Sequence, residues 1–465
     1  MMGGVKFPGR RDEQLRSGIA RIREEFSVPG EFPPEVVAAG ADAARRPPGA
    51  EHVDRTAEPF VTLDPATATD LDQAFTMTTD GDDVVLRYAI ADVGFFVRPG
   101  DPIDVEAWRR GVTVYLAGER APLYPPSLCD DAASLLPDGP RPAVVFTVRV
   151  DPDGDSRVDG VERALIESRA KLDYESVRTE DLPPAFAELS RRIVRAEQRR
   201  EAPRVEFPDQ ELERTGDGFE LRFRPRLESE DQNAAMSLAT NLAVAGALHA
   251  AGTGLFRVMP EPDDRAVHRL RNSAKALGLE WPAKQSVGDF ERSLPRGNPR
   301  AAAFLLAVRR ASGGASYESH REGVRPWHAA VAATYAHATA PLRRLGDRYV
   351  IEAALAVANG RPVSDELQAA FEKLPEVMER TETRADRVDG AVIALAEAVW
   401  LAGRVGASFD AVVVDEDQHG VVIQLADPAV VARIEAHRVD PGDEVRVRLD
   451  AVDVPSRLVE FVRVG

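Results

Sequence analysis

Apolar residues recur along the chain at two different periods, and the places where the period switches divide it into parts. Between Arg10 and Phe26, the residues Leu15, Ile19, Ile22 and Phe26 stand three to four apart, which puts them on one face of a helix. The run PGEFPPEV ends that helix, and VVAAGADAARR reads as a second one behind two prolines. Further on, DVVLRYAIADV reads as one long strand or two short ones, and Asp101 and Pro102 mark a helix start as cap and first-turn residue. A charged helix, FAELSRRIVRAEQRRE, is followed by a hairpin with TGDG as its turn. The small-residue stretch SEDQNAAMSLATNLAVAGALHAAG predicts a long helix suited to tight packing, and Arg257 to Pro299 alternates helical pieces with Pro- and Gly-rich loops. Helical spacing returns from Tyr349 to about Gly403. From Gly406 onward the period is two, broken by turns at DEDQHG and DPGDE, the mark of a small β-barrel. The pattern predicts an α+β protein: a helical region over 1–58, a large domain of mixed sheets and helices over 59–403, and a barrel over 404–465.

Composition narrows the function classes. The chain has 465 residues and 44% hydrophobic residues, enough for a sizeable core. Its one cysteine, Cys129, excludes a disulfide framework and any Cys-based zinc or iron–sulfur site, so a reducing compartment is expected and Cys129 reads as a small buried apolar side chain. The first thirty residues are charged throughout, and no run of about 18 apolar residues occurs, which argues against export and membrane spanning and for the cytoplasm. A formal net charge of −18 is awkward for a partner of nucleic acid, because backbone affinity comes from Lys and Arg displacing counterions. A narrow basic path on an acidic body reconciles the two.

The candidate chemistry lies in TLDPATATDLDQAF, Thr62 to Phe75, which crowds Asp64, Asp70 and Asp72 into a segment that otherwise reads as buried. Asp70 and Asp72 alternate with Leu71 and can project to one side of an extended chain, while Asp64, before Pro65, can fold back toward the same point. Aspartates beside Thr and Pro also serve as turn and cap residues. A cluster of this kind is costly unless a cation sits in it, and Mg²⁺ takes hard oxygen ligands while keeping positions for water and phosphate. Such a site points to phosphoryl chemistry.

This stretch, with YAIADVGFFV after it, resembles the opening of the catalytic (RNB) domain of the ribonuclease II/R family of 3′ to 5′ exoribonucleases. A second segment, YAHATAPLRRLGD from Tyr335 to Asp347, is similar to the family's Tyr-x-x-x-Thr-Ser-Pro-Ile-Arg-Arg, with Ala340 for Ser and Leu342 for Ile. The resemblance implies an RNB domain over 59–403 and an OB-like barrel at the end, in a short form without N-terminal cold-shock barrels; a helical arm packed on the catalytic domain is expected over 1–58. It implies hydrolysis of single-stranded RNA from the 3′ end with release of nucleoside 5′-monophosphates, by two Mg²⁺ ions, or Mn²⁺, stabilising the attacking and leaving oxygens. Asp64, Asp70, Asp72 and Gln73 are then the metal set, and Asp70, Asp72 and Arg343 the catalytic residues, with Arg343 steadying the phosphate. Tyr115 is expected to pack on the 3′-terminal base, Tyr174 near the ribose, and Asp386 in the RNA channel. Aromatic faces stack any base, which suits degradation. Taken alone, Tyr115 is an ordinary strand residue, Tyr174 equally caps a core, and Asp386 is a surface charge.

The chain also departs from the family. Gln73 stands where relatives have a fourth aspartate; its carbonyl oxygen can ligate Mg²⁺ but brings no charge. Asn233-Ala234-Ala235 precedes Met236 where relatives have acidic residues. Arg344 and Arg348 read as phosphate contacts or helix surface. His320, His328 and His337 fit no HExxH-type spacing, so structural or RNA-contact roles are expected over ligation. No nucleotide cofactor and no membrane partner are expected, and the chain is expected to be a monomer. Two other classes compete with the nuclease: a catalytically weakened RNA-binding or regulatory protein on the same scaffold, and a metal-dependent phosphohydrolase of small nucleotides.

Overall fold

A computed structural model of the chain describes residues 5–7, 9–202, 209–215, 218–224, 226–295, 299–311, 314–417, 420–425, 430–435, 439 and 443–464. The period-two stretch after the acidic segment folds as a hairpin: Gln73–Asp80 pairs antiparallel with Asp83–Ala91 across Gly81-Asp82, where Gly81 takes a φ of 62°. DVVLRYAIA is therefore one strand. It lies at the centre of a seven-stranded sheet in the order Ser168–Asp173, Phe60–Asp64, Gln73–Asp80, Asp83–Ala91, Arg141–Val150, Ser156–Ile166 and Val53–Asp54. Both edge pairs are parallel and the rest are antiparallel.

Helices cover this sheet, so its central strands end in unbroken buried runs such as Tyr88-Ala89-Ile90-Ala91. The helix Glu228–Ala250 packs on the sheet through Ala235, Ala239, Ala243 and Ala245, whose small side chains allow a close approach. Its start is closed by the Glu230 carboxylate, which accepts from Leu227 N–H at 2.8 Å. The helix Leu345–Ala358 packs between it and the strand Ser156–Ile166. The Asp101 cap is present: its carboxylate accepts from Asp104 N–H at 2.8 Å at the head of Pro102–Arg110.

The helix Arg10–Glu25 buries Leu15, Ile19 and Ile22 against the 37-residue helix Asp365–Leu401, with Phe26 half-buried at its end. The region 1–58 is not helical throughout, however. Val5–Phe7 pairs with Gly218–Arg224 of the hairpin to make a three-stranded sheet, because buried Phe7 joins Phe219 and Leu221 in one apolar cluster. Val53–Asp54 is an edge strand of the central sheet. Leu255–Val258 pairs with Ser316–Ser319 beside the stretch read as helices and loops, whose helices Asp264–Ala276 and Val287–Ser293 pack with Pro299–Ala311 around Phe290 and Phe304.

The last part is a five-stranded antiparallel sheet, ordered Val431–Ile434, Gly420–Leu425, Ser408–Asp417, Glu444–Asp453, Leu458–Arg463, whose two edges lie against each other as in a nearly closed barrel. The turns predicted at TGDG, DEDQHG and DPGDE fall partly outside the described residues. The barrel shares its apolar cluster with Arg10–Glu25 and with the C-terminal half of Asp365–Leu401.

Candidate active site

The acidic segment leaves the sheet at Asp64 and is pinned from both sides. Lys171 Nζ donates to the carbonyls of Ala66 at 2.8 Å and Ala68 at 2.6 Å. Ser134 Oγ donates to Thr69 O at 2.6 Å and accepts from Leu71 N–H at 2.9 Å, and Leu135 N–H donates to Leu71 O at 3.0 Å. Leu71 is completely buried and acts as the anchor between Asp70 and Asp72. The alternation read from the sequence thus fixes two carboxylates on either side of one apolar peg.

A second loop, 338–344, arrives from far along the chain. Asn241 Oδ1 accepts from Ala338 N–H at 2.9 Å, and the fully buried Asp347 accepts from Ala340 N–H at 2.8 Å and from Arg344 Nε and Nη2 at 3.0 and 2.8 Å. Gly111 and Thr113 strap it down, with Leu345 N–H donating to Gly111 O at 2.9 Å and Thr113 N–H to Arg343 O at 3.0 Å. The two loops meet at Asp72. Its Oδ1 accepts from Leu342 N–H at 2.7 Å, 270 residues away, and its Oδ2 lies 3.4 Å from Arg343 Nε.

Burial dominates the electrostatics. Asp72, 4% exposed, is pushed up to about 8 by burial, against the pull of the Arg343 guanidinium and then of Leu342 N–H. Asp64 is pushed up to about 6 by burial, opposed by Arg343 and reinforced by the charge of Asp70. Asp70 has other partners: Arg120 Nη1 is 2.5 Å from its Oδ2, and Tyr115 Oη donates to the same oxygen at 3.1 Å.

A buried carboxylate, Asp72, and a half-buried one, Asp64, both raised, with Asp70 beside them, are the donor chemistry of a hard divalent cation such as Mg²⁺. The carboxylates are not drawn together to ligation distance: among the described residues no three Asp, Glu, His or Cys side chains are gathered around a point that could hold an ion. The reason is visible in the contacts, since Asp70 is turned to Arg120 and Asp72 to the second loop. The donor set fits the ion in kind.

Tyr115, 51% exposed, stands beside Asp70 with its ring open to solvent. Tyr174 follows Asp173, which is paired in register with Asp64, and its hydroxyl accepts from Asn233 Nδ2 at 2.8 Å; burial and then Asp64 push the phenol up. Gln73 faces inward. Its Nε2 donates to Thr339 O at 2.7 Å, and its Oε1 accepts from Tyr88 Oη and, at 3.4 Å, from Ser237 Oγ. That carbonyl oxygen is already engaged, so Gln73 links the two loops and offers no free ligand. Asp386 is an exposed residue of Asp365–Leu401 in no described contact with the acidic trio.

Arg344 and Arg348 are corrections. Neither is a surface group: Arg344 pairs with Asp347, and Arg348, 4% exposed, pairs with Asp104 and Tyr349, because the helix they open is buried at its first turn. His328 and His337 pack around Tyr335, and His320 lies against His249. Cys129 is buried, and burial pushes its thiol up to about 12. Sequence reasoning missed Arg120, Tyr88, Ser237 and Asp347. Asp347 and Tyr88 carried a local signal, the first inside the second motif and the second opening YAIADVGFFV.

An RNB domain model matches residues 52–357, and a model of the RNase II-type exonuclease C-terminal S1 domain matches 407–464. Ribonuclease R of Thermotoga maritima is 24% identical over 453 residues, covering 90% of this chain and 63% of that protein. Ribonuclease R of Escherichia coli is 26% identical over 473 residues, covering 89% and 57%. The chain thus spans about half to two thirds of the length of these curated relatives. Among solved structures, Mycoplasma genitalium RNase R in complex with ribose methylated single-stranded RNA superposes with a TM-score of 0.87 at 20% identity, covering 97% of this chain and 78% of that one. Yeast Ssd1, described as a pseudonuclease, has the same fold with a TM-score of 0.68 at 15% identity, covering 84% and 51%.

Proposed function

The chain belongs to the RNB-domain family, and from that premise we propose that it hydrolyses single-stranded RNA from the 3′ end and releases nucleoside 5′-monophosphates. The observation that carries the reading is the junction at Asp72, where one buried carboxylate is bonded to Leu342 N–H and faced by Arg343. A cationic side chain is thereby brought into contact with the anionic cluster, the one suited to phosphoryl oxygens and the other to a cation.

Asp64, Asp70 and Asp72 are the residues that would hold a divalent ion, Mg²⁺ or Mn²⁺. When bound, it supplies an activated water and offsets charge on the phosphoryl group. Arg343 faces Asp72 through Nε, so Nη1 and Nη2 are the groups presented to the phosphate, and a side chain 41% exposed can reach it. In hydrolysis that releases the 3′ oxygen of the penultimate nucleotide, negative charge builds on the transferring phosphoryl group, and the Arg343 guanidinium would stabilise it there. Tyr115 stacks on the terminal base without sequence preference, and Tyr174 with Asn233 presents a hydroxyl and an amide to the ribose. The raised Asp64 and Asp72 require that a cation displace protons on binding, so activity rises with pH through the range of about 6 to 8.

The test uses 5′-labelled single-stranded RNA with Mg²⁺, Mn²⁺ or EDTA, resolved by length over time. Shortening from the 3′ end that requires the metal and disappears in Asp72→Asn, with RNA binding retained, is the expected result. RNA that is bound but stays intact in the native protein points instead to a binder on the RNB scaffold. Cleavage confined to dinucleotides points to a small-nucleotide phosphohydrolase.

A further inference from the structure

We propose that Arg120 is a positioning residue that competes with the cation for Asp70 and so sets how tightly the acidic site binds metal. The inference rests on the metal-site reading above. Arg120 and Tyr115 are directly opposed across the two-stranded ribbon of Val114–Leu116 and Glu119–Ala121, so both side chains leave the ribbon on the same face. Both end on Asp70 Oδ2, Tyr115 through its hydroxyl at 3.1 Å and Arg120 through Nη1 at 2.5 Å.

Arg120 has a second seat outside the trio. Its Nη2 pairs with Asp130 Oδ1 and donates to Thr69 Oγ1 at 3.2 Å, while Thr69 Oγ1 donates to Asp130 Oδ1 at 2.7 Å. When Asp70 turns to an ion, the guanidinium keeps Asp130 and Thr69. Opening therefore costs one charge pair and leaves no buried arginine stranded. With 20% exposure the guanidinium is largely shielded from solvent screening, so its charge is felt at the site.

The formal balance shows why it matters. Asp64, Asp70, Asp72 and Asp130 face Arg343, Arg120 and Lys171, a formal balance of minus one, and Gln73 adds no charge. Removing Arg120 doubles the net negative charge from one to two and leaves the Asp70 carboxylate with only the neutral Tyr115 hydroxyl to give up when it turns to a hard cation.

Mn²⁺ titration followed by electron paramagnetic resonance, on the full chain, tests this. Arg120→Gln is expected to bind Mn²⁺ about tenfold more tightly than the native protein, while Arg120→Lys stays near native and Asp72→Asn binds more weakly. A residue with a merely structural role shifts affinity the other way, so unchanged or weaker binding in a folded Arg120→Gln overturns the proposal. If that variant does not fold, Asp130→Asn decides: losing its second seat holds Arg120 on Asp70 and weakens Mn²⁺ binding several-fold, and unchanged affinity overturns the proposal. Absence of Mn²⁺ binding in the native protein and every variant removes the metal site itself, and with it this role for Arg120.

Discussion

On the proposed reading Asp72 carries two demands at once: it is buried, and it is to stay available to a cation. Leu342 N–H and Arg343 meet the first only in part, which is why its carboxyl remains raised to about 8. Arg343→Ala is expected to lower kcat by roughly 10²–10³ with little change in KM, the signature of an interaction made in the transition state. Single-turnover rates on a short RNA check it, and an equal loss in Arg343→Lys shows that the forked geometry matters as well as the charge. Gln73→Ala leaves the buried Tyr88 hydroxyl with Ser237 Oγ as its remaining partner and unties Thr339, so it should cost about 1 kcal/mol of stability in urea melts. At this scale the sequence was partly legible. The aspartates and Arg343 sit in local motifs. The inward turn of Gln73 and the reach of Arg120 depend on partners such as Thr339, 266 residues away, that no local pattern reveals.

Elements place these side chains through a few close contacts. Gly111 ends the helix Pro102–Arg110 at a φ of 70°, and a Cβ there would lie 2.3 Å from Thr381 Oγ1. Its carbonyl also straps the Arg343 loop, so Gly111→Ala should both destabilise the fold by more than about 1 kcal/mol and lower turnover. Thermal melts and rates measured together check the coupling. Glu397 of Asp365–Leu401 is pushed up to about 7 by burial, and its Oε1 accepts from Gln210 Nε2 and Val431 N–H, tying the hairpin and the barrel to the helix. Its folded value lies above the ordinary carboxylate value, so the folded chain binds more protons between about pH 4.5 and 7. Stability from this group is greatest below that window and falls as pH rises through it. Glu397→Gln keeps the accepting oxygen, so it should stabilise the protein by ~2 kcal/mol at pH 8 and have no effect at pH 4.5. The Asp101 and Pro102 signals located a helix start because capping is local chemistry. The strands Val5–Phe7 and Leu255–Val258 were not legible, since each is short and its pairing partner is distant.

At the scale of the whole molecule, the barrel is not an independent appendage. Leu15, Ile19, Leu395, Val399, Ile423 and Val447 belong to one buried cluster drawn from the first helix, the long helix and the barrel. Ending the chain at Gly403 should therefore expose apolar surface and lower Tm by many degrees, as differential scanning calorimetry would register, instead of merely weakening RNA affinity. Alternating residues after Gly406 announced the barrel, but a core shared across three segments has no periodic signature. The same holds for the proposed reactive centre, where two loops 270 residues apart close on Asp72. Anomalous diffraction from crystals grown with Mn²⁺ and a short single-stranded RNA whose last linkage is a non-hydrolysable phosphonate tests that claim most directly. The expected result is a Mn²⁺ peak coordinated by Asp64, Asp70 and Asp72, with that last linkage lying between it and the Arg343 guanidinium. A map with ordered RNA whose 3′ end lies elsewhere, or with no Mn²⁺ at the three aspartates, would contradict it.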